Sequence, residues 1–231
     1  MIRLALFDLD ETLLDHRSAV RDAILGYLQR ELPAVDPSGQ QDRWDALEEH
    51  HYARYLTGEL DYVGQRRARA RGFLSPFGIE LTDDAEAEQW FEDYLHGYRA
   101  AWQLFDDALP CLDRLSTAGV RLGIITNGEL DFQLAKLDAT GIRNRFEHIV
   151  ASGEFGVVKP DRRIFEHACG LFGIGPRDAL YVGDRLGTDA LGAAASGLQG
   201  VWLDRGAAAT AEQLDEAARG GVRVIRSLAD L

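Results

Sequence analysis

Lysine is almost missing from this chain: of 25 basic residues only Lys136 and Lys159 are lysines, and the other 23 are arginines. Positive charge as a whole is also short. The 25 basic side chains face 38 Asp and Glu, a net charge of −13, which argues against a nucleic-acid backbone as the main partner. Small phosphorylated substrates are not excluded, because a local cation can invert the field inside a cleft. Cysteine is scarce. Cys111 and Cys169 make no disulfide framework, and each falls in a helical pattern as a small buried hydrophobe. No apolar run approaches the ~18 residues of a membrane span, so no membrane partner is expected. The opening Met1-Ile2-Arg3-Leu4 runs straight into a strand-like segment, unlike a signal peptide, and a cytoplasmic protein is expected. Nothing in the pattern sets an oligomeric state.

What is present begins with Leu4-Ala5-Leu6-Phe7, a continuous apolar run that stops at Asp8, as a strand covered on both faces would. From about Arg121 the same style returns. Leu122–Ile125 ends at Thr126-Asn127-Gly128, His148–Val150 at Ala151-Ser152, Ala179–Val182 at Gly183-Asp184, and Gly200–Leu203 at Asp204. Val222–Ile225 reads as a short edge strand. Helical patterns at Leu130–Thr140 and Arg162–Phe172, each followed by glycine, alternate with these strands. The order implies an α/β fold: a Rossmann-like parallel sheet flanked by helices.

The stretch from His16 to Trp102 differs. It holds only amphipathic patterns, at Ser18–Leu32, Asp42–Leu60, Val63–Leu74 and Ala85–Trp102, the last preceded by Asp83 and Glu86 at capping-box spacing. A helical cap, 16–102, is therefore expected to interrupt a core made of 1–15 and 103–231. Its aromatics, among them Trp44, Tyr52, Tyr55, Phe73, Trp90, Tyr94 and Tyr98, are expected to form the insert's own core. Arg67 and Arg71 share a helix face that reads as solvated.

Ligands of an open parallel sheet bind beyond the carboxyl ends of its strands, where Asp8, Thr126, Ser152 and Asp184 all fall. Asp8 and Asp10, two apart just past a buried strand, can both face the cleft while Leu9 turns into the core. Clustered carboxylates repel unless a divalent cation lies between them, which suggests Mg²⁺. Gly183 permits close backbone approach, Asp184 can reach the metal, and Asp189 can orient it or fix a neighbouring side chain, or else is an acid favourable to the dipole in the first turn of the helix through Ser196. Thr126 and the amide of Asn127, at a strand-to-helix turn, form a cradle for phosphate oxygens. In a chain that writes nearly every cation as arginine, Lys159 suggests that a compact ammonium was required there.

The order Asp8-x-Asp10-x-Thr12, Thr126, Lys159-Pro160 and Gly183-Asp184-x-x-x-x-Asp189 resembles the haloacid dehalogenase-like hydrolase superfamily, over about Ile2 to Leu203. The helical insert looks like that family's C1-type cap. Dehalogenases of the family carry tyrosine where this chain has Asp10, so the resemblance implies the phosphatase branch. Glu11 stands where glycine, asparagine or aspartate is commoner. The implied function is Mg²⁺-dependent hydrolysis of a small phosphorylated metabolite through an aspartyl-phosphate. Asp8 would be the nucleophile and Asp10 the general acid and base. Mg²⁺ would sit on Asp8, Asp184 and the backbone carbonyl of Asp10, with Asp189 just beyond its ligands. Thr126, Asn127 and Lys159 would hold the phosphoryl oxygens. The alternatives are a phosphoglucomutase-like phosphotransferase, a 2-haloacid dehalogenase, and a non-catalytic regulatory domain.

Overall fold

The computed structural model describes all of residues 1–231. Strand β1 (Leu4–Phe7) is buried throughout, as its unbroken apolar run requires. Five strands join it: β2 (Arg121–Thr126), β3 (His148–Ala151), β4 (Ala179–Gly183), β5 (Gln199–Leu203) and β6 (Arg223–Ile225). All pair in parallel, in the order β3-β2-β1-β4-β5-β6. The α/β reading of the sequence holds, edge strand included.

The eight longer helices are α1 (His16–Glu31), α2 (Gln40–Leu56), α3 (Tyr62–Leu74), α4 (Asp84–Ala100), α5 (Ala108–Thr117), α6 (Leu130–Ala139), α7 (Arg162–Phe172) and α8 (Ala211–Arg219). The chain divides into two compact units, one of Met1–His16 with Gln103–Leu231 and one of Arg17–Trp102. No helix is long and apolar enough to cross a membrane.

In the α/β unit, α7 shows how sequence sets a boundary. Asp161 caps its start by accepting from the amide of Arg163 at 2.9 Å, and Gly173 ends it in the left-handed region at φ 63°. Its buried stripe of Ile164, Phe165, Ala168 and Phe172 packs with Leu4, Leu6, Ile125 and Tyr181 of the sheet. A second cluster joins Ala217 of α8 to Trp202, Leu186 and Ala190.

Two features of the sheet place the site. Strand β1 lies between β2 and β4, so the strand order reverses there and opens a crevice at the carboxyl ends. Phe7 pairs with both Ile124 and Val182, so Asp8, Thr126 and Asp184 emerge at nearly one level.

The helical unit is held by aromatics. Trp44 is fully buried, with ring centroids of Tyr94 at 4.5 Å, Phe73 at 5.4 Å and Trp90 at 5.9 Å. Tyr52 and Tyr55 are only half-buried, their rings tilted by 38° with centroids 5.6 Å apart. Arg67 and Arg71 share a face, and that face is engaged: Arg67 bonds Glu88 at 2.7 Å and Asp84 at 2.8 Å, and Arg71 bonds Asp84 at 2.8 Å. Asp83 accepts from the amide of Glu86 at 2.8 Å, but the Glu86 carboxylate reaches back to the amide of Thr82, one residue earlier than a reciprocal capping box.

Trp44→Ala is expected to destabilise the helical unit by about 3–5 kcal/mol, the cost of a large aromatic cavity. The check is urea denaturation followed by circular dichroism. An unchanged midpoint would show that the aromatic cluster does not hold this unit together.

Candidate active site

The loop after β1 is built around one carbonyl. Leu9 O accepts from the amides of Leu13 at 3.0 Å and Leu14 at 2.9 Å, and Glu11 N donates to Leu14 O at 2.9 Å. Leu9 is buried, as alternation predicts, while Asp8 and Asp10 leave on either side of it. Closing so tight a loop puts Glu11 in the left-handed region at φ 58°. That conformation costs an ordinary residue roughly 1–2 kcal/mol and glycine, asparagine or aspartate less, which is the physical meaning of the unusual glutamate here.

Asp8 is fixed at its backbone by donating to Val182 O at 2.9 Å, and its side chain lies in a buried charge cluster. Lys159 Nζ donates to Asp8 Oδ1 at 2.6 Å, to Asp189 Oδ1 at 2.7 Å and to the Tyr181 hydroxyl at 2.8 Å. All of its donors are thus used. The Tyr181 hydroxyl donates in turn to Ile125 O at 2.9 Å. Burial works against the Lys159 ammonium, but Asp189 and Asp8 outweigh it and raise its pKa, so it stays charged. Burial lifts the Asp8 carboxyl to about 6 against the pull of Lys159, with Asp189 adding to the rise. Asp184 is pushed well above the usual carboxylate range, by burial first and then by Asp8 and Asp189.

Two local devices bring these charges together. Residues Leu186–Leu191 form a π-helical turn rather than the first turn of an α-helix. It presents Asp189 inward, where Oδ2 accepts from Arg185 N at 3.0 Å, so Asp189 both caps this turn and holds Lys159. Gly183 makes room. A Cβ there would lie 2.5 Å from the Asp189 side chain.

Thr126 ends β2, buried, and Asn127 acts through its side chain. Asn127 Oδ1 accepts from Lys159 N at 2.8 Å and Nδ2 donates to Lys159 O at 3.2 Å, a two-bond clamp on the residue whose ammonium meets Asp8. Ser152 braces the same turn, accepting from Gly128 N at 3.0 Å.

Asp10 does not join the cluster of Asp8, Asp184 and Asp189. Both of its oxygens are held by Lys136 Nζ, at 2.6 and 2.8 Å. Sequence reading passed over Lys136, although the rarity that singled out Lys159 applies to it equally. It also passed over Tyr181, a hydroxyl in an otherwise apolar strand, which needs a partner when buried.

A divalent cation fits this donor set. Asp8, Asp184 and Asp189 each bring a carboxylate oxygen within 4.8 Å of the others, and hard oxygens are what Mg²⁺ takes. The oxygens of Asp189 already accept from Lys159 and from Arg185 N, which leaves Asp8 and Asp184 as the better ligands. The Asp10 carboxylate is occupied by Lys136, so a contribution from this residue would come through its backbone carbonyl.

The family model for haloacid dehalogenase-like hydrolases matches residues 2–197, and the chain belongs to that family. Phosphoserine phosphatase of Thermus thermophilus is 33% identical, with 89% of this chain and 90% of that protein aligned. N-acylneuraminate-9-phosphatase of Mus musculus is 39% identical over 88% of this chain and 83% of its own length. Among solved structures, the HAD-hydrolase YfnB from Bacillus subtilis, bound to magnesium, superposes with a TM-score of 0.80 at 22% identity. That alignment covers 99% of this chain and 96% of YfnB.

The cluster makes stability depend on pH. A carboxyl raised from 3.8 to about 6, as in Asp8, adds stability below its unfolded value and loses it as pH rises through about 6. Lys159→Met removes the one cation inside the cluster. In metal-free buffer it is expected to cost about 3–5 kcal/mol near pH 7.5, and clearly less near pH 5, where the carboxyls take up protons. Urea titrations at both pH values check this; a cost independent of pH would contradict the charge assignment.

Proposed function

We propose that the chain is a Mg²⁺-dependent phosphomonoester hydrolase for small phosphorylated metabolites, with Asp8 as covalent nucleophile. The observation that carries the reading is the Asp8 carboxylate, fixed at the carboxyl end of the central strand and bonded at 2.6 Å to Lys159 among further aspartates. The phosphatase names of the related proteins support the same reading.

In the first step an Asp8 oxygen attacks phosphorus in line, the Asp8–phosphorus bond forms, and the bond to the leaving oxygen breaks. Asp10 enters this step as the carboxylic acid and gives that oxygen its proton, becoming the carboxylate that Lys136 holds. Phosphorylation removes charge from the attacking carboxylate, so Lys159 can exchange its bond to Asp8 for one to a phosphoryl oxygen. Thr126 and the amide of Asn127 take the other phosphoryl oxygens as their charge grows. In the second step Asp10 takes a proton from water, the water oxygen attacks phosphorus, and Asp8 is released with inorganic phosphate. Mg²⁺ held by Asp8, Asp184 and the Asp10 carbonyl would neutralise charge at the nucleophile and the phosphoryl group, with Asp189 fixing Lys159 beside it. We assign the helical insert the role of a cap that selects the leaving group.

Hydrolysis of an aryl phosphate is expected to require Mg²⁺, to stop with EDTA, and to fall by at least ~10⁴-fold in Asp8→Asn, with the fold intact by circular dichroism. Residual turnover of Asp8→Asn at the wild-type rate would sink the covalent scheme.

A further inference from the structure

Lys136 is 2% exposed, yet the carboxylate that it binds is not buried: the Asp10 side chain keeps 30% of its surface. A buried ammonium is costly, and one spent on a half-solvated partner calls for a reason beyond stability. Nor is the pair a chance approach of flexible surface groups. Lys136 lies on α6, whose start is tied to the ends of two strands. Gly128 donates to Ser152 and accepts from the amide of Gly153 at 2.9 Å. Gln133, three residues before Lys136, is 3% exposed and packs so closely on Gly128 that a Cβ there would meet its Nε2 at 2.5 Å. The same helix places the Phe132 ring 5.1 Å from Nζ. Lys136 is therefore a rigid arm that starts from the turn carrying Thr126 and Asn127 and ends on Asp10.

Asp8 needs no such arm, being held by β1, by Val182 and by Lys159. Asp10 hangs on the loop beyond it. Rotation of its side chain would carry the carboxylate away from the leaving oxygen or onto the neighbouring acids. A single ammonium bonded to both carboxylate oxygens fixes the plane of the group, and His16 Nδ1 stands 4.0 Å from Oδ1. We propose that Lys136 is the positioning residue for Asp10, holding this carboxylate apart from the Asp8 cluster and aimed for both proton transfers. The proposal rests on the hydrolase reading of the site and adds a residue to it.

The scarcity of lysine makes the pairing directly measurable. Protein labelled with ¹⁵N-lysine has two side-chain ammonium signals, from Lys136 and Lys159. Asp10→Asn should shift the Lys136 signal and spare the other. If neither signal moves, the pairing is wrong and the proposal falls, whether or not a Lys136 variant folds. Kinetics then separate the roles. With an aryl phosphate, Lys136→Met is expected to lower kcat by ~100-fold, the scale of a small misplacement of a reacting group. KM and inhibition by inorganic phosphate should stay within about twofold, because Lys136 does not touch the phosphoryl group. In an Asp10→Asn background the same substitution should cost nothing further. A loss that appears in KM and in phosphate inhibition would make Lys136 a phosphate ligand and overturn the proposal. So would a full loss that persists without Asp10. Wild-type turnover with Lys136→Met at full rate overturns the Lys136 assignment alone. A wild-type protein without Asp8-dependent turnover overturns the hydrolase reading and this proposal together.

Discussion

Repulsion among Asp8, Asp184 and Asp189, gathered at the carboxyl ends of β1 and β4, sets the terms for everything around them. Two unit charges 4 Å apart repel by roughly 4 kcal/mol at the effective dielectric of a protein site. Lys159 offsets part of this, while burial first and the neighbouring acids after it raise the carboxyls of Asp8 and Asp184. The residual negative charge is what a divalent cation satisfies. On the proposed reading, a cation bound there would let an acidic protein take a phosphorylated substrate at this one place while its net charge of −13 repels polyanions elsewhere.

Holding like charges together takes rigid surroundings, and they come from several separate elements. The register of β1 with β2 and β4 fixes the heights at which Asp8, Thr126 and Asp184 appear. Gly183 allows Asp189 to approach β4, and the π-helical turn aims it. Tyr181 and the Asn127 clamp hold the head and the backbone of Lys159. Farther out, Arg205 bonds Asp107 at 2.8 and 2.9 Å and the carbonyl of Thr12 at 2.8 Å, bracing the loop after β1 from the end of β5.

The sheet was legible in the sequence because parallel strands are buried on both faces. Leu4–Phe7 is apolar throughout and Ala179–Val182 is so but for the Tyr181 hydroxyl, and both end where the acids begin. Asp8, Asp184 and Asp189 could be read for the same reason, since strand ends are sequence-local. Glu11 showed as an oddity, and its positive φ supplies the cause. What escaped notice is long-range. Lys136 lies 126 residues from Asp10, inside an ordinary helical pattern, and nothing in periodicity joins the two. Asn127 was read through its backbone amide, whereas its side chain makes the clamp on Lys159, a bond that depends on how the loops after β2 and β3 converge.

The division between lysine and arginine follows from donor geometry. Arginines here act as flat forks or stacked planes: Arg205 lies 3.8 Å over the Phe105 ring while gripping Asp107, and Arg69 lies 4.6 Å over Trp44 while pairing with Glu48. Lys159 faces a different task. Its three acceptors come from the end of β1, the middle of β4 and the π-helical turn, and they converge on a single nitrogen. A tetrahedral ammonium can donate to three such points from one atom, whereas a planar guanidinium spreads its donors over a width that this space does not offer. Lys136 likewise meets both oxygens of Asp10 from one point. A chain that otherwise builds with arginine thus keeps its two lysines where positive charge has to converge on the carboxylates of one loop.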